Sequence, residues 1–250
     1  MLQRLGPFRY VAIAVLALIV VALLLNRNTA GTPEPVASDA PPSTPDFSPD
    51  PASRPVPGGE PAKVVHKVDT QDRVVFLTID DGATRRPDMI DILRRNGVKA
   101  TFFLTNSYVK QDPGFYKSLR DATGSAIENH TESHPNLKGK SLEDQRAEIG
   151  PVSETYAREF GARPTLFRPP FGNFDDTTLK AAGEAGIKWV VHWGSEIING
   201  KVQFSGPHEF RPGSIVLMHF RTTFEQDVQA FVDQARANNL TPALLTDYLK

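Results

Sequence analysis

From residue 64 to the end of the chain, short apolar runs alternate with amphipathic segments, and no other feature restricts the fold as tightly. RVVFLTI (73–79) is a continuous run rich in β-branched residues, as expected of a strand buried on both faces. RPDMIDILRRNG (86–97) follows with a helical pattern, Pro87 early and Gly97 at its stop, and then a strand-like KATFFL (99–104). DPGFYKSLRDAT (112–123) reads as a helix and SAIE (125–128) as a short strand. SLEDQRAEIGPVSETYAREFG (141–161) opens on a Ser141–Asp144 cap, and Gly150-Pro151 is expected to kink or split it. TLFRPP (165–170), FDDTTLKAAGEAGI (174–187), KWVVHW (188–193), GSIVLMHF (213–220) and EQDVQAFVDQARANN (225–239) continue the alternation. Repeated strand–helix units imply parallel strands, and six or more of them favour an α/β barrel, closed or nearly so, over an open doubly wound sheet.

Either architecture places its functional site at the carboxyl ends of the strands. Asp80 and Asp81 end the first strand, His130 ends SAIEN, Arg168 ends TLF, and His219 ends SIVLM. Polar residues capable of chemistry therefore fall where the fold rule puts them.

The first third of the chain is of another kind. Arg4 and Arg9 precede an unbroken apolar run over residues 10–25, with Arg27 behind it. The run and its flanks reach the roughly 20 residues a bilayer requires, and the basic residues on the N-terminal side favour an uncleaved signal anchor at 10–27, with residues 1–9 cytoplasmic. A secreted form, after cleavage of the same segment, is the alternative. Residues 28–63 contain about half of the chain's 21 prolines and one aromatic residue, Phe47. Such a stretch cannot bury enough apolar surface to offset its ordering entropy, so a disordered linker is expected, on the order of 100 Å long at about 3.1 Å per residue. The remaining residues, 64–250, are the expected catalytic domain.

The net charge is -1 and lysine and arginine are spread along the chain, so a nucleic-acid partner is not expected. There is no cysteine, which excludes disulfides, thiolate metal sites and a cysteine nucleophile. Any metal must take nitrogen and oxygen ligands. HTESH (130–134) supplies two imidazoles four residues apart, a spacing that on a helical turn puts both rings on one face, where zinc accepts a nitrogen from each at about 2.0–2.1 Å. No HExxH occurs, so a metalloprotease is not indicated. Two histidines with one carboxylate, Asp81 or Asp80, leave a coordination position open, as catalytic sites do. Taken alone, Asp80-Asp81 reads as a turn and helix cap, RPPFG (168–172) as a rigid turn, and His219 as a core histidine. A guanidinium at Arg168 is also able to hold a neighbouring carboxylate by a bidentate contact.

TIDDG (78–82), HTESH, RPPFG and SIVLMH (214–219), in this order and at these separations, resemble the polysaccharide deacetylases of the NodB-homology type, carbohydrate esterase family four. The resemblance covers about residues 72–250. It implies a distorted (β/α)7 barrel holding one divalent ion, zinc foremost and cobalt as an alternative, with Asp81, His130 and His134 as its ligands. Asp80 would be the general base that activates the attacking water, with Arg168 as its partner. His219 would be the general acid that protonates the leaving sugar nitrogen. The backbone N–H of Phe171, where the family often has Tyr, would stabilise the oxyanion, and Leu217 would line the acetyl pocket.

One segment departs from the family pattern. Where a D-x-x-D-W motif is usual, this chain has Glu196, Asn199 and Gly200 at the two acids and the tryptophan. The second acid is expected to support the catalytic histidine, so Asn199 is expected to support His219 weakly unless Glu196 reaches in, and Gly200 to open one wall of the acetyl pocket. The expected protein is thus a monomeric, membrane-anchored deacetylase acting outside the cytoplasm on an N-acetylated polysaccharide, either peptidoglycan or a chitin-like polymer. Removal of acetyl esters from a polymer such as xylan is the alternative within the same chemistry. A wall-binding protein that keeps the metal site with little turnover is the alternative outside it.

Overall fold

Strand β2 (Val74–Asp81) is the spine of the fold, flanked in parallel by β3 (Thr101–Leu104) and β9 (Ser214–His219). Its side chains alternate between two apolar layers, as the two-residue period of a strand requires. Val75, Leu77 and Ile79 join an outer core with Phe102, Leu104, Val216 and Met218. Phe76 joins an inner core with Phe103, Leu166, Val191 and Ile215. Burial on both faces is why RVVFLTI shows no polar alternation. On the inner face the residues that follow Phe76 at intervals of two are Thr78 and Asp80, so this layer turns polar toward the carboxyl end of the strand.

The structure is a computed structural model that describes residues 59–250 apart from Pro207. The expected anchor at 10–27 and nearly all of the expected linker lie outside the described residues. The remaining strands are β1 (Lys63–Val65), β4 (Ala126–Asn129), β5 (Leu166–Phe167), β6 (Trp189–Val191), β7 (Ser195–Ile198), β8 (Lys201–Phe204) and β10 (Thr241–Ala243). They form one sheet in the order β1-β6-β5-β4-β3-β2-β9-β7-β8, with β10 pairing β2. All pairs are parallel except β7 with β8. Helices α1 (Asp88–Arg95), α2 (Asn106–Val109), α3 (Pro113–Thr123), α4 (Leu142–Phe160), α5 (Asp176–Glu184) and α6 (Phe224–Ala237), with two short 3-10 turns at Pro170–Gly172 and Leu245–Asp247, complete the described elements. Met89, Ile92, Leu93, Leu119, Val228 and Phe231 of α1, α3 and α6 seal the outer core, and Ala181 and Ala182 of α5 pack on Phe167 and Val190.

The sheet curls into a half-barrel. It does not close through a continuous ladder: beyond β1 the chain meets β9 through one antiparallel bridge, Lys67 with Ser214, and through Val68 N–H donating to Gly213 O at 2.9 Å. The sevenfold strand–helix alternation expected of a (β/α)7 barrel is also incomplete, since no helix separates β1 from β2 or β6 from β7, and β7–β8 is a hairpin. Its turn residues, Asn199 and Gly200, have φ of 52° and 73°, the two left-handed residues of a type I′ turn. Asn-Gly between the strand-like segments Ile197-Ile198 and Lys201-Val202 is the sequence signal for this turn, whereas the family resemblance aligns the same residues with its acidic segment.

α4 runs through Gly150-Pro151 as one helix, so the expected split does not occur. Pro151 has no N–H to donate to Ala147, but buried Ile149, Val152 and Tyr156 hold the helix to the sheet on either side. The next carbonyls take bonds from outside: Glu148 O from Glu132 N–H and Ile149 O from Asn129 Nδ2, both at 2.9 Å.

The end of the expected linker belongs to the fold. Lys63 begins β1, Ala62 N–H donates to Leu179 O at 2.9 Å, and Gly59 crosses Gly183 so closely that a Cβ on Gly59 would lie 2.7 Å from Gly183 O. Because β1 is parallel to β6 and, through the sheet, to β2, the chain enters at the pole opposite the carboxyl ends of the strands.

β4 and β5 pair in register only at Asn129 and Phe167. The carboxylate of Glu128 extends that contact, its Oε2 accepting from Thr165 N–H at 2.9 Å and Leu166 N–H at 2.8 Å. Burial pushes the Glu128 carboxyl up from 4.5 to about 8 despite these two bonds. The folded state therefore holds a proton that the unfolded state has lost between those values, and this group's contribution to stability declines as pH rises through that window. Glu128→Gln, a neutral isostere that keeps an acceptor, should stabilise the protein by about 1–2 kcal/mol at pH 8 and by less at pH 5. Urea titrations at the two pH values measure this, and an equal effect at both would contradict it.

Candidate metal centre and catalytic pole

Asp81, His130 and His134 converge at the carboxyl ends of β2 and β4. Asp81 Oδ1 is 3.4 Å from His130 Nε2 and 3.3 Å from His134 Nε2, and one ligand atom from each residue lies within 4.8 Å of the others. His130 Nδ1 faces the carbonyl of Arg168 at 2.6 Å. That bond fixes the ring with its Nδ1–H donating and its Nε2 lone pair aimed at Asp81, the arrangement of a metal-ligating histidine. Asp81 Oδ1 is a buried atom with no hydrogen-bond donor. An orphaned carboxylate oxygen between two imidazole nitrogens is the chemistry of a cation site, and the donor set suits a borderline ion such as zinc. Burial raises the Asp81 carboxyl, but contacts with His130 and His134 outweigh it and hold the group well below the usual carboxylate range. The same carboxylate raises His134, against burial.

The HTESH segment is a loop, where a helical turn had been expected. Thr131 and His134 have φ of 72° and 62°, Thr131 Oγ1 accepts from His134 N–H at 3.0 Å, and Thr131 N–H donates to Asn129 Oδ1 at 2.9 Å. Side-chain bonds of this kind compete with helix formation. The imidazoles still meet, with centroids 5.0 Å apart, because the two left-handed residues fold the loop back on itself. Ser133 N–H and Oγ bind the Glu148 carboxylate at 2.9 and 2.8 Å and tie the loop to α4. Among the described residues, four of the six non-glycine positions with positive φ are Asp81, Thr131, His134 and Phe171, so backbone strain gathers at this site.

Asp80 lies on the inner face beside the trio, its Oδ2 3.8 Å from His130 Nε2. Arg168 holds its other oxygen at 2.7 Å from Nη1. The contact is one-pointed where a bidentate one had been expected, because the remaining donors are engaged: Nη1 also meets Thr78 Oγ1 at 2.8 Å, Nε meets Val191 O at 3.0 Å and Nη2 meets His192 O at 3.4 Å. The guanidinium is fully buried between the faces of Phe103 and Trp193, 4.4 and 5.3 Å from their centroids.

His219 ends β9 directly opposite Asp80 in the β2–β9 register. Burial lowers its pKa, and Arg221 adds to this, while Asp80, Asp81 and Glu196 oppose it. The carboxylates do raise it, and burial outweighs them. Glu196 Oε1 is 3.6 Å from His219 Nδ1, a buried nitrogen with no other partner. Glu196, and not Asn199, is therefore the carboxylate beside the histidine. Gly200 N–H donates to Asp227 Oδ1 of α6 at 2.6 Å, and a Cβ on Gly200 would meet Gln226 at 3.5 Å, so this position faces α6 and opens no wall beside Leu217. Leu217 is buried in β9, paired with Thr78 on one side and Glu196 on the other. Phe171 caps the RPPFG turn with φ of 62°; the residue is 66% exposed and its ring lies edge-on to His134 at 4.9 Å.

Trp193, Asp227 and Arg221 escaped the motif reading. Trp193 stood in the quoted WVVHW run, next to the segment that departs from the family pattern, whereas nothing local marks the other two.

The polysaccharide deacetylase family profile matches residues 67–190. An uncharacterized protein of Streptomyces coelicolor is 38% identical over 178 residues, 66% of this chain and 71% of that relative. The peptidoglycan-N-acetylmuramic acid deacetylase PdaA of Bacillus subtilis is 29% identical over 178 residues, 66% of each chain. The match thus spans about two thirds of these relatives' length. Among solved structures, a mutant of a Bacillus anthracis pseudoenzyme of carbohydrate esterase family 4, with restored enzymatic activity, gives a TM-score of 0.65 at 27% identity, over 76% of this chain and 72% of that one.

Changing His134→Gln should weaken the binding of zinc or cobalt by at least 10–100-fold relative to the unmodified chain. Calorimetric titration of the metal-stripped protein measures this. Unchanged affinity would remove His134 from the site.

Proposed function

Because the chain belongs to the polysaccharide deacetylase family of carbohydrate esterases, we propose that it is a metal-dependent hydrolase, anchored in a membrane and acting outside the cytoplasm, that removes N-acetyl groups from peptidoglycan. The observation that carries this reading is the placement of Asp80 and His219 opposite each other on neighbouring strands, with the Asp81, His130 and His134 atoms beside them. Zinc is the proposed ion, with cobalt as the alternative; a divalent ion held by these three residues supplies Lewis acidity, lowering the pKa of water and polarising an acyl oxygen.

Asp80, oriented by Arg168, accepts a proton from the attacking water. The water oxygen bonds to the acetamide carbon, and the N–H of Phe171 at the tip of its turn is placed to donate to the developing oxyanion. His219 delivers a proton to the sugar nitrogen as the C–N bond breaks, so acetate and a free amine leave. Glu196 orients that ring through Nδ1 and favours its protonated form. Phe171 is exposed and Asp81 and His134 are half-buried, so the site is open to solvent, which suits a polymer better than a small enclosed ligand. Asn199 and Gly200, the departures from the family motif that would favour a silent wall-binding protein, form the hairpin turn instead.

Supplying zinc or cobalt to the metal-stripped full chain in detergent should restore acetate release from peptidoglycan, with N-acetylglucosamine oligomers and acetylated xylan as competing substrates. Asp80→Asn should reduce it by about 10²–10⁴-fold. Binding of the ion without acetate from any substrate would overturn the reading. Glu196→Gln removes a charge that favours protonated His219, so the alkaline limb of the kcat/KM profile should move to lower pH. A profile that keeps its limb would show that Glu196 does not act on His219.

A further inference from the structure

We propose that Tyr116 of α3 is a positioning residue for the metal centre: its hydroxyl holds a strained turn that brings the Asp81 carboxylate to the same side as Asp80. The inference rests on the metal-dependent reading and assigns to it a residue outside the ligand set.

Successive side chains of a strand point to opposite faces. Asp80 follows Phe76 and Thr78 at intervals of two on the inner face, so in a regular strand Asp81 would follow Leu77 and Ile79 into the outer apolar core. Both carboxylates nevertheless lie near one atom, His130 Nε2, with Asp80 Oδ2 at 3.8 Å and Asp81 Oδ1 at 3.4 Å. The alternation must therefore break, and it breaks at Asp81 itself. Its φ is 76°, and Gly82 N–H donates to Asp80 O, two residues back, at 3.1 Å. This is the left-handed form of the three-residue γ-turn, which is rare and strained.

Such a turn persists only where its surroundings over-determine it. Here each of the three successive carbonyls is held from another part of the chain. Asp80 O accepts from Phe220 N–H at 3.3 Å, just past β9, and Asp81 O accepts from Thr105 N–H at 3.0 Å, just past β3. Gly82 O accepts from the Tyr116 hydroxyl, with Arg85 Nη1 farther off at 3.5 Å. The first two donors are backbone groups, whereas the third is a side chain 34 residues away. Tyr116 is fully buried, its ring edge-on to Phe115 and Phe220 at 5.2 and 6.3 Å. A Cβ on Gly82 would lie 2.9 Å from that hydroxyl, so the glycine permits the approach as well as its own φ of 86°. Arg85 contacts the same hydroxyl at 3.4 Å and is braced by Gln111 Oε1 at 2.9 Å. Without the hydroxyl this carbonyl loses its buried donor, and the turn relaxes toward extended backbone. Asp81 then swings away from His130 and His134.

Tyr116→Phe in the full chain keeps the ring and removes only the donor. Calorimetric titration of the metal-stripped protein with zinc should show an affinity about tenfold lower than that of the unmodified chain, as for residues that orient metal ligands. Asp81→Ala removes the ligand that Tyr116 positions, so adding Tyr116→Phe to it should cause no further loss. A merely structural role would leave the affinity of folded Tyr116→Phe unchanged, or would cause the same loss in both backgrounds. Either result overturns the inference. Should Tyr116→Phe fail to fold, Arg85→Gln decides, because it removes the outer donor to the same carbonyl. It should weaken zinc binding when Asp81 is present and not in Asp81→Ala, and an unchanged affinity overturns the inference. Zinc bound equally by the unmodified chain and by Tyr116→Phe leaves the metal-dependent reading standing, whereas no binding to the unmodified chain overturns both.

Discussion

Arg168 is a charged side chain with no exposure to solvent, and the arrangement of the catalytic pole depends on it. Taking a guanidinium out of water costs several kcal/mol, so its partners are not free to drift. Its donors reach Thr78 and Asp80 on β2 and the carbonyls of Val191 and His192 at the end of β6, while its own carbonyl faces His130. One residue thus sets the orientation of Asp80, the tautomer of His130 and the curl that brings β6 toward β2. Loss of Asp80 as a partner would leave a buried charge exposed to a penalty of about 3–5 kcal/mol, which is why substitutions here report on folding as well as on turnover.

The ligand loop illustrates a second constraint. Asp81, Thr131 and His134 adopt left-handed backbone at a cost of about 1–3 kcal/mol each, and the surrounding contacts must hold them there. Glu148 and Ile149 of α4 do so through both side chain and carbonyls, next to the proline that a helix would ordinarily exclude. Helix and loop are therefore one unit: the loop occupies hydrogen-bonding groups near Pro151, and the helix keeps two imidazoles facing one carboxylate.

Much of this was legible in the sequence because strand period and chemistry coincide. Thr78, Asp80, Leu217 and His219 share the inner face by alternation alone, and the fold rule for strand ends placed His130 and Arg168 beside them. What local pattern could not supply was the conformation of HTESH, where side-chain bonds to the backbone prevail over helical spacing. Asn199-Gly200 did carry a hairpin signal, yet similarity to an acidic motif directed attention to its chemistry at the expense of its backbone. Asp227 was invisible for a simpler reason. Whether a carboxylate finds a backbone N–H 27 residues away is decided only when β7, β9 and α6 come together.

The crossing of Gly59 and Gly183 has a mechanical consequence. Tension transmitted along the upstream chain is taken up first where these two glycines interlock and then by the three-pair ladder between β1 and β6. Both lie toward the pole opposite the carboxyl ends of the strands. A pull on the chain at Gly59 would therefore peel the entry strand before it distorted Asp80, Asp81 or His219.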